Sequence, residues 1–392
     1  MKNIFFRIVV LVGILFSCSR KVTQPSTIPI RYDGHLNLDV KIQDKIIGHF
    51  VFDTGWSGIC LDSLFCKKNG LGNNILDKEI KMSGIGNETS TAKLITDTLR
   101  YEFNSNNYRC HSTLTLMFNL KSAFGKKIDG IAGIQTFAQK PYMIDYVFQK
   151  IIFTDSVKGF ESVNAEFEDN KIYLPLTVTL KNKKKLHGKF LLDTGSDQSI
   201  LNSHLFNTDG IYNSTYKKKF FAKGGVGGDS NGYFLPVAET SLGKYKLKNV
   251  IMTISSDTLG TLSDSNYLGV IGNDLLDDFN IIFDHQKEKI WVKPNKNFNK
   301  NKKRLFRGIS FQAIGDKWIV AGIVEETEAF RFGIRKNDQI LEINNIPVEQ
   351  IDRDKYVNNL KANDVLNLKI KRDGVEKEIK FKLNVFLKCK FK

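Results

Sequence analysis

The amino-acid sequence predicts a mainly β protein made of two related lobes and a third, smaller β module. Short runs such as "LNLDVKI" at 36–42 and "LPLTVTL" at 174–180 alternate apolar and polar residues, as half-buried strands do. β-branched and aromatic residues fill these runs, and Gly, Asn and Asp bound them. Helical periodicity is short where it occurs, as in "SHLF" at 203–206. A segment near residue 50 recurs near residue 190, which predicts two equivalent domains.

Residues 1–17 are typical of a secretory signal peptide, because Lys2 and Arg7 precede an apolar run. The run "LFSC" at 15–18 resembles a bacterial lipobox, which implies cleavage before Cys18 and a lipid on that cysteine. An uncleaved anchor, or an ordinary signal with a chance cysteine, is the alternative. We expect residues 18–26 to tether the chain to a lipid bilayer through Cys18. The protein would then be a cell-envelope lipoprotein on the periplasmic face of the outer membrane or at the cell surface.

The composition is that of ordinary globular domains, with 41% hydrophobic and 26% charged residues in 392. The net charge is +16, and lysines cluster in segments such as "KNKKK" at 181–185. We interpret this charge mainly as a solvated face, with contact to anionic lipid as the alternative. A nucleic-acid partner is not expected, because such a role favours aromatic residues interleaved with the basic ones along one groove.

No metal or other cofactor is expected. The histidines are scattered without ligand spacing, and no metal-type cysteine pair occurs. Cys60 and Cys66 lie close in sequence, and an oxidising compartment permits a disulfide. The sequence does not establish how these cysteines and Cys110 would pair.

The internal repeat is ordered along the chain. "GHFVFDTG" at 48–55 returns as "GKFLLDTG" at 188–195. Further equivalent pairs follow the same order: "SGIG" at 83–86 with "GGVG" at 224–227, "DGIAG" at 129–133 with "LGVIG" at 268–272, Asp145 with Asp284, and, upstream, "IPI" at 28–30 with "LPL" at 174–176. Two lobes of this kind form a pseudo-twofold pair, which brings Asp53 and Asp193 together at the axis.

Two carboxyl groups that meet at an axis cannot both ionise, so Asp53 and Asp193 would share one proton. The ionised member can take a proton from water, which then attacks a peptide carbonyl, while the protonated member donates to the oxyanion. Thr54 and Thr194 can brace the turn across the axis. Gly55 and Gly195 let a backbone N–H approach the carboxylate where a side chain would obstruct it.

Residues 27–294 resemble an aspartic peptidase of the pepsin and retropepsin kind, with both lobes in one polypeptide. The resemblance rests on the repeated apolar-apolar-Asp-Thr-Gly turn and the later apolar-Gly strand, and it implies a bilobal acid-protease-like pair of β-barrels. The lobes would span 27–153 and 171–294, joined by a polar connector at 154–170. The family's catalytic aspartates correspond to Asp53 and Asp193, and its substrate is a peptide or protein.

Glycine-rich hairpins close over the substrate in that family, with one such flap in pepsins and two in retropepsin dimers. Two candidates here favour a fused, retropepsin-like pair. The flap residues would be Gly84, Ile85 and Gly86 in the first lobe, and Gly225, Val226 and Gly227 in the second.

The family usually has a small hydroxyl residue after Asp-Thr-Gly to support the carboxylate. Ser196 holds this place in the second lobe, whereas Trp56 holds it in the first. Ser57 could substitute, Trp56 could line the cleft, or Asp53 could be less well supported. We expect the two aspartates to be inequivalent, with the lower apparent pKa at Asp193.

A Lys/Asn linker at 295–303 leads to residues 304–392, where "FGIRKNDQILEIN" at 332–344 resembles a recurring segment of PDZ domains, with Asn337 in place of the usual Gly. The resemblance implies a small β-barrel with two helices, one over Asp352 to Ala362. A peptide C-terminus would bind as an added strand at the carboxylate-binding loop and the strand after it, that is, at Gly308, Ile309, Ser310 and Phe311. Packing on the peptidase as a structural cap is the alternative.

These features predict a membrane-tethered aspartic endopeptidase with a peptide-binding PDZ module. A catalytically silent peptide-binding scaffold on the same fold is the alternative. A carboxylate-pair glycosidase is a third possibility, which requires carboxyl groups at least ~5 Å apart. The separation of Asp53 and Asp193 therefore discriminates among these functions.

Overall fold

The computed structural model describes residues 26–103, 108–112, 115–120, 128–208, 210–211, 219–223, 225–248, 250–300, 308–314, 317–325, 327–361 and 363–383. The predictions for the signal peptide, for Cys18 and for most of the tether lie outside these residues. Within the described residues, no helix has the length and apolar character needed to cross a membrane.

The described residues from 26 to 153 form mainly strands. Their elements are β1 (Thr27–Pro29), β2 (Arg31–Tyr32), β3 (Leu36–Ile42), β4 (Ile46–Asp53), β5 (Ile59–Asp62), α1 (Ser63–Asn69), β6 (Ile75–Ser83), β7 (Thr89–Ile95), β8 (Leu99–Phe103), β9 (Tyr108–Ser112), β10 (Thr115–Phe118), β11 (Gly130–Gly133), β12 (Tyr142–Asp145) and β13 (Lys150–Phe153). A 3₁₀ helix over Ile134–Phe137 follows β11.

Residues 154–300 continue with β14 (Glu161–Val163), β15 (Glu166–Glu168), β16 (Lys171–Leu180), β17 (Lys185–Leu192), β18 (Ile200–Leu201), β19 (Lys219–Lys223), β20 (Asp229–Leu242), β21 (Tyr245–Lys248), β22 (Ile251–Ser255), β23 (Gly269–Ile271), α2 (Asn273–Leu276), β24 (Phe279–Asp284) and β25 (Lys289–Pro294). The 3₁₀ helices of this part are Ser203–Leu205, Gly225–Gly227 and Thr261–Ser263.

The first lobe, residues 27–153, is built on a sheet with strand order β6-β7-β10-β5-β11-β4-β3-β8-β9, and β2 pairs with β3. The predicted alternation in β3 is present, because Leu36, Leu38 and Val40 are buried and the residues between them are not. β4 ends at Asp53, and β11 runs parallel to β4 with Gly133 opposite that aspartate. The pairing of β11 fixes the end of β4 in the middle of the sheet.

The second lobe, residues 171–294, repeats this arrangement in a sheet of order β15-β16-β17-β23-β18-β22-β20-β19, with β21 on β20. β23 runs parallel to β17 with Ile271 opposite Leu192. The N–H of Asp193 donates to the carbonyl of Ile271 at 3.0 Å. Each lobe therefore delivers its aspartate from a strand that a parallel neighbour holds in place.

A third sheet joins the lobes, with order β1-β13-β12-β24-β25-β14. β12 of the first lobe pairs with β24 of the second, and Tyr142 lies opposite Phe283. One continuous apolar core includes buried residues of both lobes, such as Phe52 and Leu192. The two lobes are therefore tied together by backbone hydrogen bonds and by a shared core.

Two sequence interpretations differ from the structure here. "IPI" at 28–30 overlaps β1, which pairs with β13 in the joining sheet, whereas "LPL" at 174–176 lies within β16, which pairs with β17. These two segments are not equivalent. The polar connector at 154–170 also contains β14 and β15, whose polar side chains are tolerated because each strand pairs along one edge of a sheet.

The C-terminal module comprises β26 (Ile309–Ile314), β27 (Lys317–Ile323), α3 (Glu328–Arg331), β28 (Gln339–Ile343), β29 (Ile346–Pro347), the 3₁₀ helix Val348–Gln350, α4 (Arg353–Asn359), β30 (Val365–Arg372) and β31 (Val375–Lys382). Its strand order is β26-β27-β28-β30-β31, with β29 on β28, and it has its own apolar core. The helix predicted over Asp352 to Ala362 is observed as α4. Asn337 has a φ of 72°, a left-handed conformation that Asn tolerates better than most residues.

Candidate active site

The two Asp-Thr-Gly turns have the same backbone hydrogen bonds. The N–H of Gly55 donates to Asp53 Oδ1 at 2.8 Å, and the N–H of Gly195 donates to Asp193 Oδ1 at 2.7 Å. The N–H groups of Trp56 and Ser196 donate to the backbone carbonyls of Asp53 and Asp193, at 3.3 Å each, and they also help to lower the pKa of the two carboxyl groups. Backbone donors therefore orient one oxygen of each carboxyl group, whatever side chain follows the glycine.

Thr54 and Thr194 hold the two turns together by reciprocal hydrogen bonds. The Thr54 hydroxyl donates to the carbonyl of Leu192 at 2.9 Å and accepts from the N–H of Thr194 at 2.9 Å. The Thr194 hydroxyl donates to the carbonyl of Phe52 at 2.9 Å and accepts from the N–H of Thr54 at 3.1 Å. Both side chains are fully buried, so this network fixes the position of one turn relative to the other.

The carboxyl group of each aspartate lies against the glycine of the opposite turn. A Cβ atom added at Gly195 would lie 2.3 Å from Asp53 Cγ, and one added at Gly55 would lie 2.8 Å from Asp193 Cγ. Only glycine leaves room for this approach. The two carboxyl groups are close enough for each to affect the pKa of the other. The sequence prediction that the two aspartates come together therefore agrees with their placement in the structure.

Burial raises the pKa of both aspartates. The pKa of Asp53 lies well above its ordinary value because burial and then the neighbouring charge of Asp193 disfavour its ionised form. Burial raises the pKa of Asp193 as well, but hydrogen bonds from Asp53 and from two backbone N–H groups, together with the positive charge of Lys171, lower it. The two carboxyl groups are therefore inequivalent, and they titrate as a coupled pair rather than as independent groups.

Trp56 and Ser196 occupy equivalent positions with different contacts. The Ser196 hydroxyl donates to the carbonyl of Gln198 at 2.7 Å rather than to Asp193. The expected support of Asp193 by this hydroxyl is therefore absent, because the serine closes its own turn instead. Trp56 lies in the wall of the central cavity, beside Leu116 and Phe118. Its side chain is placed to contact a ligand rather than to support Asp53.

A cavity of about 910 Å³ extends from the two aspartates to the glycine-rich segments. Its wall is largely apolar, which is typical of sites that hold extended organic ligands. Apolar lining residues come from both lobes: Trp56, Leu76, Ile80, Met82, Ile85, Leu116, Ile131, Leu191, Ile200 and Val226. Lys171 and His35 add polar groups to the same wall.

The predicted flap residues of both lobes meet over this cavity. Gly84, Ile85 and Gly86 follow β6, and the 3₁₀ helix Gly225–Gly227 lies between β19 and β20. A Cβ atom at Gly86 would lie 2.1 Å from the carbonyl oxygen of Gly227, so the two segments are in contact. Val226 packs in an apolar cluster with Met82 and Ala92 of the first lobe.

Hydrogen bonds join these segments as well. The N–H of Glu88 donates to the carbonyl of Gly227 at 2.8 Å, and the Ser90 hydroxyl donates to the carbonyl of Val226 at 2.7 Å. The Asn87 amide donates to Asp257 Oδ1 at 2.9 Å and accepts from the N–H of Thr258 at 2.7 Å. The first glycine-rich segment is thus bound to the second lobe, and the cavity is covered. Nothing in the sequence pattern marks Asn87 for this contact.

Asn273 is a buried residue near the turns that sequence reasoning missed. Its side-chain amide donates to the carbonyl of Thr194 at 2.7 Å and to that of Gly34 at 2.8 Å, and it accepts from the Tyr146 hydroxyl at 2.8 Å. Ile134 holds the equivalent place in the first lobe. Its N–H donates to the carbonyl of Trp56, just as the N–H of Asn273 donates to the carbonyl of Ser196. In the sequence, the one feature that could have indicated this role is that a polar residue follows "GVIG" directly.

The structure also places the predicted peptide-binding residues of the C-terminal module. Gly308, with a φ of 63°, precedes β26, which contains Ile309, Ser310 and Phe311. Arg353 at the start of α4 donates from Nε and Nη2 to the carbonyl of Phe311, at 3.1 and 2.6 Å. A side chain of the helix thus bridges to the adjacent edge strand.

The described residues contain no cluster of three or more His, Cys, Asp or Glu side chains that could hold a metal ion. Cys60, Cys66 and Cys110 are buried, and none of the three is in the disulfide that an oxidising compartment would permit. Burial, followed by the negative charge of Asp62, raises the pKa of Cys66 to about 12. The thiol of Cys66 is therefore protonated at neutral pH.

Comparison with known proteins identifies the C-terminal module. Residues 307–383 match the family described as the PDZ domain, in agreement with the sequence prediction for this segment. A comparison of the chain with curated proteins found no match. The protein is therefore mainly β with a C-terminal PDZ domain, which is a module that binds peptides or proteins.

Proposed function

We propose that residues 27–294 form an aspartic endopeptidase, in which Asp53 and Asp193 activate a water molecule for attack on a peptide bond. The observation that carries this proposal is the mutual contact of the two Asp-Thr-Gly turns, with each carboxyl group against the glycine of the other turn. The raised pKa values of a paired, buried set of carboxyl groups also support it. The apolar cavity above them has the size of a site for several peptide residues.

The proposed mechanism assigns different roles to the two aspartates. Asp193 acts as the ionised member and takes a proton from water, and the resulting hydroxide attacks the carbonyl carbon of the scissile bond. Asp53 donates its proton to the carbonyl oxygen, so that a neutral gem-diol forms. The carboxyl proton acquired by Asp193 then passes to the leaving nitrogen, the C–N bond breaks, and Asp53 recovers a proton from the diol. The backbone donors of Gly55 and Gly195 hold the carboxyl groups in place during these steps.

The other candidate functions are less well supported. Glycosidases with two carboxylates keep them at least ~5 Å apart, whereas the carboxyl groups of Asp53 and Asp193 each lie against the glycine of the other turn. A silent peptide-binding scaffold would gain nothing from two adjacent buried carboxyl groups, whose desolvation opposes folding. Peptide binding by the PDZ domain is compatible with either function, so it does not favour the scaffold.

The proposal extends to the location of the enzyme. The signal peptide at 1–17 and the lipobox at 15–18 support a lipoprotein tethered through Cys18 in the cell envelope. The PDZ domain would then present protein C-termini to the peptidase on the same membrane. Labelling with a radioactive fatty acid in cells that make the parent protein and a Cys18→Ser variant tests this assignment, since the tether requires label in the parent alone.

Cleavage of an unfolded protein tests the enzymatic function. The parent should release new N-termini from reduced, carboxymethylated casein over pH 3 to 8, and Asp193→Asn should not. Asp39→Asn is the matched control, because Asp39 is an exposed residue that pairs with Arg31. Equal cleavage by the parent and Asp193→Asn would refute the proposal, as would the absence of cleavage by all three proteins.

A further inference from the structure

Val324 belongs to the PDZ domain, but it is buried by the second lobe. The side chain is 2% exposed and lies in a cluster with Tyr173, Leu191, Ile200 and Phe234 of that lobe. The PDZ core is a separate cluster, which contains residues such as Trp318 and Ile340. Strand β27, which leads to Val324, also contacts β19, the strand that precedes the glycine-rich segment of the second lobe.

The apolar cluster that contains Val324 shares residues with the wall of the cavity. Leu191 and Ile200 belong to the cluster and also line the cavity. Ile85, from the glycine-rich segment of the first lobe, packs on the same cluster and lines the cavity as well. A change in the position of Val324 would therefore act on residues that contact a ligand in the cavity, because close-packed interiors transmit displacements.

Val324 is also joined to the peptide-binding loop of the PDZ domain. Its N–H donates to the carbonyl of Gly308 at 2.8 Å. Gly308 begins the segment whose N–H groups cap a peptide carboxylate in this mode of binding. An added peptide strand also needs the edge carbonyl of Phe311, which Arg353 now occupies. Arg353 therefore competes with an added strand for this carbonyl, and the loop bonded to Val324 is the part of the domain that contacts the carboxylate.

We propose that Val324 is a positioning residue that couples the PDZ peptide site to the substrate cavity. Binding of a peptide C-terminus at Gly308–Phe311 shifts Val324, and the shift changes the wall at Leu191 and Ile200 and the cover over the cavity. Because coupling between two binding sites is reciprocal, a ligand in the cavity changes the PDZ affinity by the same factor. The proposal rests on peptide binding by the PDZ domain and not on peptide cleavage.

Hydrogen exchange tests the coupling without any need for turnover. The probe is the tightest-binding heptapeptide with a free C-terminal carboxylate, selected on the full-length protein from a random library. Its C-terminal amide serves as the control peptide, because it lacks the carboxylate that the loop caps. The measured quantity is the exchange rate of the segments 83–92, 188–201 and 225–235.

The free-acid peptide should change the exchange rate of at least one of these segments threefold or more in the parent, and the amide should not. Val324→Ala and Val324→Thr should still bind the peptide but lose this change. Val375→Ala is the matched control, because Val375 is an exposed PDZ residue. Circular dichroism verifies that each variant is folded. If Val324→Ala does not fold, Val324→Thr serves instead, because it keeps the side-chain volume but places a hydroxyl in the apolar cluster and so weakens its packing.

Three results would overturn the proposal: no exchange change in the peptide-bound parent, the same change in both Val324 variants, or failure of every library peptide to bind at Gly308–Phe311. A coupled exchange change in a protein that cleaves nothing would instead support the coupling and refute the peptidase function. The two conclusions are therefore tested separately.

Discussion

The turn that ends β4 in the first lobe and the turn that follows β17 in the second are equivalent in backbone and different in surroundings. Gly55 and Gly195 donate to their aspartates at 2.8 and 2.7 Å. Beyond the glycine, Trp56 faces the cavity, whereas Ser196 bonds to Gln198. The positive charge of Lys171 is among the causes that lower the pKa of Asp193. The repeat thus fixes the geometry of the pair, and the unrepeated residues make the two carboxyl groups inequivalent.

Substitution of the two glycines should give the largest effect on this comparison. A methyl group at Gly195 would lie 2.3 Å from Asp53 Cγ. A methyl group at Gly55 would lie 2.8 Å from Asp193 Cγ, which is a less severe clash. We expect Gly195→Ala to lower kcat/KM at least about 10²-fold, because displaced reacting groups cost about that much. Gly55→Ala should have the smaller effect of the two. Parent-like kcat/KM in Gly195→Ala would contradict the close contact of the turns.

Loss of the threonine hydroxyls should lower the stability of the protein. Thr54→Ala leaves the carbonyl of Leu192 and the N–H of Thr194 without their partner. Each buried unsatisfied group costs about 1–3 kcal/mol, so the free energy of unfolding should fall by about 2–5 kcal/mol. Urea unfolding measures this loss. Thr54→Ser keeps the hydroxyl and is the control; equal losses in both variants would assign the effect to the methyl group instead.

His285 marks another difference between the lobes, because Tyr146 occupies the equivalent place after Asp145. Burial lowers the pKa of His285 to about 4, so the folded protein holds it neutral where the unfolded chain would protonate it. The neutral, buried His285 therefore contributes stability above about pH 6.5. This contribution, roughly 2–3 kcal/mol of unfolding free energy, is lost as the pH falls towards 4. His285→Phe should remove this part of the acid sensitivity. If the parent and His285→Phe lose the same unfolding free energy between pH 7 and 4, His285 does not cause this acid sensitivity.

The smallest expected effect concerns the inequivalence of the aspartates. Lys171→Met removes a positive charge that lowers the pKa of Asp193, so the acid limb of kcat/KM should move to higher pH. Trp56→Ser should change KM more than the pH profile, because Trp56 lines the cavity and the backbone N–H at this position remains. If the acid limb of kcat/KM shifts in Trp56→Ser but not in Lys171→Met, then Trp56 and not Lys171 makes the two aspartates inequivalent.

The sequence predicted much of the fold because the repeat carries its own structural information. An apolar strand that ends in Asp-Thr-Gly, and a later apolar-Gly strand, defined the equivalent parts of both lobes, and the PDZ segment was recognisable from one loop and one strand. The pairing of β12 with β24 could not be predicted, since it joins segments about 140 residues apart through ordinary apolar side chains. β14 and β15 were missed because their residues are too polar for a strand pattern.

The contacts made by single side chains were harder to predict than the motifs. Ser196 was expected to support Asp193, but its hydroxyl donates a hydrogen bond to the carbonyl of Gln198 instead. Asn273, Asn87 and Val324 act across lobes or domains, and no local periodicity records such contacts. Trp56 was identified only as a departure from the repeat, and its place in the cavity wall required the structure.

Kinetics of Asp53→Asn, Asp193→Asn and the double variant test most directly whether one carboxyl group from each lobe forms a single functional unit. If they do, each single substitution should lower kcat/KM at least about 10³-fold, and the double substitution should add little, because groups that act as a unit are not additive. Parent-like cleavage by either single variant, or losses that multiply in the double variant, would contradict the shared pair.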